Sequence, residues 1–269
     1  MRSDSWIVRI WKLFYPLLIH LTINMLISLV FSTVVLTAGN GSTKESMQLL
    51  MEYNFPVTLF ADGIIVLILF YFFKRDSMRL VPVKMKIIPY HWIMVAVCGA
   101  CACLTVNYLI SFSGLIQLFY EQYEEVSSLL YYGSILQEII LMVVAAPLVE
   151  ELLFRGLVYR RLRTYCTFKV AMLISALVFG VYHGNVVQGV YAFLLGAIMA
   201  FMYERFRTIL APILFHASAN LISVLVTEVP KVSDFFDSNA GIIMIITGII
   251  TIGMIYLMQN NLRPKEELP

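Results

Sequence analysis

The chain has 269 residues, of which 60% are hydrophobic and only 13% are charged, and its mean hydropathy is +0.84. A soluble domain is about 45–50% apolar with roughly 25% charged residues, so the composition excludes an ordinary soluble globular protein. The formal net charge of +2 does not suggest nucleic acid as a partner. Three of the four cysteines lie in one apolar run and lack the second pair of a zinc site, so we interpret them as packing residues.

The apolar residues fall into runs that are long enough to cross a bilayer as helices. We predict an all-α integral membrane protein of about eight transmembrane helices, forming a single membrane domain over residues 1–269. The predicted spans are 14–37, 56–73, 91–112, 134–159, 168–185, 187–205, 208–227 and 239–258. The first run is longer than the apolar region of a cleaved signal, which predicts that it stays in the membrane. The Gly184-Asn185 pair predicts the turn between the fifth and sixth spans.

The distribution of charge along the chain predicts its orientation. If the N-terminus is cytoplasmic, nearly all lysines and arginines fall on the same side: Arg2, Arg9, Lys12, Lys74, Arg75, Arg79, Lys84, Lys86, Arg155, Arg160, Arg161, Arg163, Lys169, Arg205, Arg207, Arg263 and Lys265. Only Lys44 and Lys231 fall on the other side, together with Glu45, Glu52, Glu121, Glu124, Glu125, Glu228, Asp234 and Asp237. This asymmetry predicts that both termini are cytoplasmic. The outer connection 113–133 is predicted to form an interfacial helix.

Ionisable side chains inside the spans are candidates for function, because each costs roughly 2.5–3.5 kcal/mol to insert. Three clusters contain such residues: Glu150, Glu151 and Arg155 in span four, Phe179 and His183 in span five, and His216 and Asn220 in span seven. Counting about 1.5 Å per residue from the cytoplasmic border places Glu150, His183, His216 and Asn220 in one layer near the middle of the membrane. We therefore predict one shared site.

The spacing within span four assigns different directions to its two glutamates. Glu151 and Arg155 are four residues apart, which predicts an ion pair on one side of the helix. Glu150 then projects about 100° away and stays free to act. Pro147 and Pro212 each precede a site residue by about one turn, and each is predicted to bend its helix and leave a carbonyl unpaired four residues upstream. Such breaks favour a water-filled cavity.

The three clusters read EELLFR, FGVYH and HASAN, and this ordered set resembles the EExxxR, FxxxH and HxxxN motifs of the CAAX-type (CPBP or Abi) intramembrane endopeptidases. The stretch after His183 resembles bacterial members, in the pattern HGNxxQxxYAFxxGxxxxxxYE. The resemblance covers residues 147–222 and implies a catalytic core over 134–227, in helices four to seven. It implies that Glu150 activates a water held by His183. It also implies that His216 and Asn220 stabilise the oxyanion, with Glu151 and Arg155 orienting Glu150.

Several alternatives remain open at the sequence level. We expect no metal, although Glu150, His183 and His216 could bind a divalent ion such as zinc. The expected partners are the lipid bilayer and a peptide or protein substrate near the cytoplasmic face of a bacterial cell membrane, and the HGN variant argues against a prenylated substrate. The resemblance also implies links to bacteriocin maturation or immunity. The competing functions are a non-catalytic immunity or scaffold protein and a proton-coupled transporter, although no repeat relates the two halves.

Overall fold

The computed structural model describes residues 5–38, 43–77, 88–131 and 133–261, and all regular structure in these ranges is helical. In chain order the helices are α1 (Trp6–Ala38), α2 (Thr43–Ser77), α3 (Pro89–Phe112), α4 (Leu115–Leu118) and α5 (Tyr120–Leu130). They are followed by α6 (135–162), α7 (Phe168–Tyr182), α8 (Val186–Phe206), α9 (Leu210–Glu228), α10 (Pro230–Ser238) and α11 (Ala240–Asn261). The fold is thus the all-α membrane fold that the sequence predicts.

Six of the described helices are long and apolar enough to cross a membrane, namely α1, α2, α3, α8, α9 and α11. Helix α7 is apolar but shorter, with 15 residues. Helix α6 is continuous but contains two π-helical stretches, Ile139–Ala145 and Leu152–Tyr159. The chain is therefore an integral multi-pass membrane protein, and the number of eight crossings stays a prediction.

Helix α3 carries no distinctive motif but packs closely against α9, one of the three helices that carry a motif. Helix α3 contacts α9 along its length and also contacts α8 and α11, while α8 packs on α7. Gly99 of α3 permits the closest approach, because a Cβ at this position would collide with the backbone of Phe215 in α9. Helices α1 and α2 pack against each other and against α6 at the periphery. The helices that carry the three motifs therefore contribute side chains to the buried core.

Basic side chains connect several helix ends at one face of the molecule, which we call the basic face. Arg161 at the end of α6 donates to Asp76 of α2 at 2.8 Å and to Tyr15 of α1 at 2.6 Å. Arg163 and Arg207 both pair with Glu204 near the end of α8, at 2.9 and 3.1 Å. The predicted clustering of basic segments is confirmed for these residues, while Arg2, Arg79, Lys84, Lys86, Arg263 and Lys265 lie outside the described residues.

The predicted turn between the fifth and sixth spans is confirmed. Gly184 has φ of +74°, a left-handed conformation that a residue without Cβ adopts freely. Asn185 is the N-cap of α8, and its side-chain oxygen accepts from the Gln188 backbone N–H at 2.8 Å. The connection 113–133 is also helical, as α4 and α5. The tight turn places His183 directly beside the first turn of α8.

Candidate active site

The four predicted site residues lie on three helices and line one cavity of about 460 Å³. Glu150 comes from α6, His183 is the C-cap residue of α7, and His216 and Asn220 come from α9. Residues of α3 and α8 complete the wall. The structure therefore brings together side chains that are far apart in the sequence. Glu150 and Asn220 are separated by 70 positions.

The two adjacent glutamates of α6 have different environments, as their spacing predicts. Glu151 and Arg155 are completely buried and form an ion pair of 2.8 Å between Oε1 and Nη1. Arg155 also donates to the Gly196 carbonyl of α8 at 3.0 Å, and its guanidinium lies 4.4 Å from the centre of the Phe179 ring. Glu150 instead lines the cavity. The buried pair thus joins α6 to α7 and α8, and Glu150 is left facing the cavity.

Glu151 contacts His216, a partner that the sequence did not indicate, and its role in orienting Glu150 stays a prediction. Its Oε1 lies 2.9 Å from His216 Nδ1. Because an ionised carboxylate only accepts, Nδ1 carries the proton and donates it to Glu151. Nε2 of His216 then lies on the Glu150 side of the ring, 3.8 Å from Glu150 Oε2. Among the described residues, no group donates a hydrogen bond to this Glu150 oxygen.

His183 is fixed in the same manner by a backbone carbonyl. Its Nδ1 lies 2.8 Å from the Phe179 carbonyl oxygen, one turn earlier in α7. A carbonyl oxygen only accepts, so Nδ1 carries the proton and Nε2 of the neutral ring is the free acceptor. The Phe179 ring makes edge contacts with both histidines, at centroid distances of 4.8 Å to His183 and 6.0 Å to His216. Phe179 therefore restricts both imidazole rings.

Asn220 has a backbone partner that the sequence did not indicate. Its Nδ2 donates to the Met142 carbonyl at 2.6 Å, within the π-helical stretch Ile139–Ala145. In a π-helix each N–H donates to the carbonyl five residues earlier, and the Ala146 N–H indeed reaches the Leu141 carbonyl. The next donor in this series would be Pro147, which has no N–H. Asn220 therefore pairs with the carbonyl that the proline leaves free.

The predicted effects of both prolines need correction. The carbonyl that Pro147 leaves free lies five residues upstream, at Met142, because the helix is π-helical there. Pro212 is the third residue of α9, which begins at Leu210. In the first turn of a helix, N–H groups have no intrahelical partner, so Pro212 interrupts no hydrogen bond. Only Pro147 contributes to the irregular backbone of the site.

Two polar residues from the N-terminal helices approach the site, and sequence reasoning left both without a role. His20 of α1 is buried and contacts the Tyr182 hydroxyl at 3.1 Å, directly before His183. Asp62 of α2 is half-buried, and α2 packs against the part of α6 that contains Glu150. Their position as polar residues inside apolar runs was the available signal. Their partners could not be inferred, because they depend on how α1 and α2 pack.

The sequence left open a metal site formed by Glu150, His183 and His216. Although Glu150 and His216 are close, no three His, Cys, Asp or Glu side chains in the described part of the chain are grouped to hold an ion. The sequence alternative of a divalent metal therefore has no geometric support from these residues, and the expectation of a metal-free site stays a prediction.

Comparison with known proteins agrees with this site. The family model described as type II CAAX prenyl endopeptidase, Rce1-like, matches residues 132–222, which include all three motifs. The resemblance to the CAAX-type endopeptidases is confirmed. The Bacillus subtilis (strain 168) protein named "Putative membrane peptidase YdiL" is 26% identical over 119 residues, or 43% of this chain and 48% of that protein. The aligned region thus spans about half of this relative, and no solved structure matches the chain.

Proposed function

We propose that the chain is an intramembrane endopeptidase in which Glu150 activates a water molecule to hydrolyse a peptide bond. The observation that carries this proposal is the position of Glu150 in the cavity that His183 and His216 also line, with His216 Nε2 at 3.8 Å from Glu150 Oε2. Its Oε2 receives no hydrogen bond from the described residues, which suits an oxygen that must accept a proton. The match of this region to an endopeptidase family supports the same reaction.

The proposed reaction begins with a water between Glu150 and His183. Glu150 takes one proton while the water oxygen attacks the carbonyl carbon of the substrate, and the free Nε2 of His183 accepts the other O–H of the same water. The tetrahedral intermediate then collapses, the C–N bond breaks, and Glu150 returns its proton to the leaving amine. The products are one carboxylic acid and one amine, and Glu150 is again ionised.

His216 and Asn220 are proposed to stabilise the oxyanion. Glu151 holds Nδ1 of His216, and in the protonated form of the ring Nε2 can donate to the oxyanion. Asn220 uses one Nδ2–H for Met142 and retains a second N–H for the oxyanion. Such preoriented donors contribute about 2.7–4 kcal/mol each in hydrolases. The ion pair of Glu151 and Arg155 would therefore act by holding His216 in position.

The proposed substrate is a peptide or a membrane-associated protein segment in a bacterial cell membrane. The position of the site residues in a multi-pass fold supports a site within the membrane, and the charge asymmetry supports cytoplasmic termini. The name of the bacterial relative, a membrane peptidase, supports a substrate of this class.

The test is cleavage of a broad peptide library by the purified, detergent-solubilised protein, with products identified by mass spectrometry. We expect cleavage by the wild type and by Glu124→Gln, an exposed glutamate outside the cavity, and its loss in Glu150→Gln and His183→Ala. Cleavage should persist in chelator. Activity that a chelator abolishes would contradict the metal-free mechanism. A folded wild type that cleaves nothing would contradict the enzyme and favour a non-catalytic immunity or scaffold protein.

A further inference from the structure

The cavity has a closed end and an open end, which differ in exposure. At the closed end lie Ala192, Leu195 and Met199 of α8, with exposed fractions of 2%, 1% and 1%. At the open end the lining residues are exposed and polar: Asn107, Ser111, Thr227 and Asp237. The site residues lie between them. A substrate must therefore pass the exposed polar residues at the open end to reach Glu150.

The helix ends show to which face the cavity opens. Ser111 is near the end of α3, Thr227 is near the end of α9, and Gln188 is in the first turn of α8. The basic face lies at the opposite ends of the same helices, since Glu204 and its arginine partners are near the end of α8. Thr227 is seven residues beyond Asn220, which is about 10 Å along α9. The mouth thus faces away from the basic face.

The charges of the two faces assign them to opposite sides of the membrane. The face that contains the mouth carries acidic residues of α5, α9 and α10, namely Glu121, Glu124, Glu125, Glu228, Asp234 and Asp237. Cytoplasmic segments of membrane proteins are enriched in lysine and arginine, so the basic face is the cytoplasmic one. The cavity consequently opens on the non-cytoplasmic side.

The charge of the cavity wall adds a constraint on the substrate. Among the described residues that line the cavity, Glu150 and Asp237 are acidic and none is lysine or arginine. Asp237 is exposed at the mouth, where it attracts positive and repels negative groups. The distance of about 10 Å between Thr227 and Asn220 corresponds to roughly three residues of extended peptide. A cavity of this depth suits a short extended segment of chain.

We propose that the substrate enters from the non-cytoplasmic face, as an extended peptide segment that is neutral or positively charged. This inference rests on the proposed endopeptidase function for its substrate. It reverses the expectation from sequence that the substrate is presented near the cytoplasmic face, because the sequence alone did not show at which helix ends the cavity opens.

The side of the mouth can be tested without any cleavage assay. We would introduce Thr227→Cys at the mouth and, as a separate control, Lys169→Cys on the basic face, each with Cys166→Ser, since the other three cysteines are buried. Intact cells are treated with a membrane-impermeant maleimide. We expect labelling of Thr227→Cys in intact cells and of Lys169→Cys only after permeabilisation. The reverse pattern, or labelling of Thr227→Cys only after permeabilisation, would overturn the proposal.

The charge preference is tested by comparing matched peptides that carry lysine or glutamate beside the cleaved bond. We expect the lysine peptide to have the lower KM, and we expect this preference to diminish in Asp237→Asn but persist in Asp234→Asn, an exposed neighbour outside the cavity. An equal or reversed preference in the wild type would overturn the charge assignment. If no peptide is cleaved but the labelling pattern is the expected one, the endopeptidase function is contradicted. The opening of the cavity on the non-cytoplasmic side is then still supported.

Discussion

At the scale of single residues, the adjacent side chains Glu150 and Glu151 have different positions and partners. The helical spacing predicts the ion pair of Glu151 with Arg155 and the separate direction of Glu150, because both depend only on neighbours in the same helix. The contact of Glu151 with His216 could not be predicted in this way, since it depends on how α6 and α9 pack. The sequence thus predicted a group of residues that does line one cavity, but it did not predict their hydrogen bonds.

Removing the buried arginine should destabilise the protein strongly. Arg155→Met would leave the Glu151 carboxylate completely buried with only His216 as a partner, and breaking a buried ion pair costs about 3–5 kcal/mol. We expect a corresponding fall in the free energy of unfolding, measured by denaturant titration in detergent. The double variant Glu151→Gln/Arg155→Met should recover part of the loss. A single variant as stable as the wild type would show that the pair does not stabilise the core.

At the scale of helices, the irregular backbone of α6 is coupled to a side chain of α9. Sequence reasoning identified Pro147 as a break, but it placed the free carbonyl four residues upstream by assuming α-helical geometry. The π-helical stretch moves that carbonyl to Met142, where Asn220 donates to it. A π-helix has no clear sequence signal, so neither the position of the carbonyl nor its partner could be predicted.

The coupling between Pro147 and Asn220 predicts a non-additive pair of substitutions. Asn220→Ala should destabilise by about 1–3 kcal/mol, because it leaves the carbonyl of the half-buried Met142 without this donor. In a Pro147→Ala background the new backbone N–H can pair with this carbonyl, so the same substitution should cost less than about 1 kcal/mol. Unfolding free energies of the four proteins would measure this difference. Equal costs in both backgrounds would rule out the shared carbonyl.

The packing of α8 on the buried ion pair predicts a cost for one additional methyl group. A Cβ at Gly196 would lie 2.9 Å from Arg155 Nη2 and 3.0 Å from the Phe179 ring, whereas a Cβ at Gly63 of α2 would meet no atom within 4 Å. Gly196→Ala should therefore destabilise by about 1–3 kcal/mol. Gly63→Ala should cost nothing, since alanine favours a helix. Similar thermal unfolding midpoints for the two variants would contradict this packing.

At the scale of the whole molecule, hydropathy predicts the membrane-spanning cores of the helices better than their ends. Helix α1 begins at Trp6 and α2 at Thr43, each earlier than its apolar run, because polar residues continue the helix beyond the apolar segment. The contact of His20 with Tyr182 was likewise not predictable, since the packing of α1 against the core leaves no periodic pattern in a uniformly apolar helix.

The basic face is predicted to hold the peripheral helices in place. Arg161 joins the ends of α1, α2 and α6 through Tyr15, Asp76 and the Lys12 carbonyl, and it is largely buried. Arg161→Met should lower the unfolding free energy by about 1–3 kcal/mol, because the Lys12 carbonyl loses this donor while Tyr15 and Asp76 keep only their contacts with Arg75. Lys169→Met removes the same charge from an exposed position on this face and should change stability by less than about 0.5 kcal/mol. If both substitutions lower the unfolding free energy equally, the loss would reflect the change in net charge and not the contacts of Arg161.

The most direct test of the proposed chemistry is the single-turnover rate of Glu150→Gln on a peptide that the wild type cleaves, together with the Kd of that peptide. Glutamine keeps the shape of the side chain but cannot accept the proton of the attacking water. We predict that the rate falls roughly 10²- to 10⁴-fold, while the Kd changes little. A rate close to that of the wild type, with the peptide still bound, would contradict the assignment of Glu150 as the base.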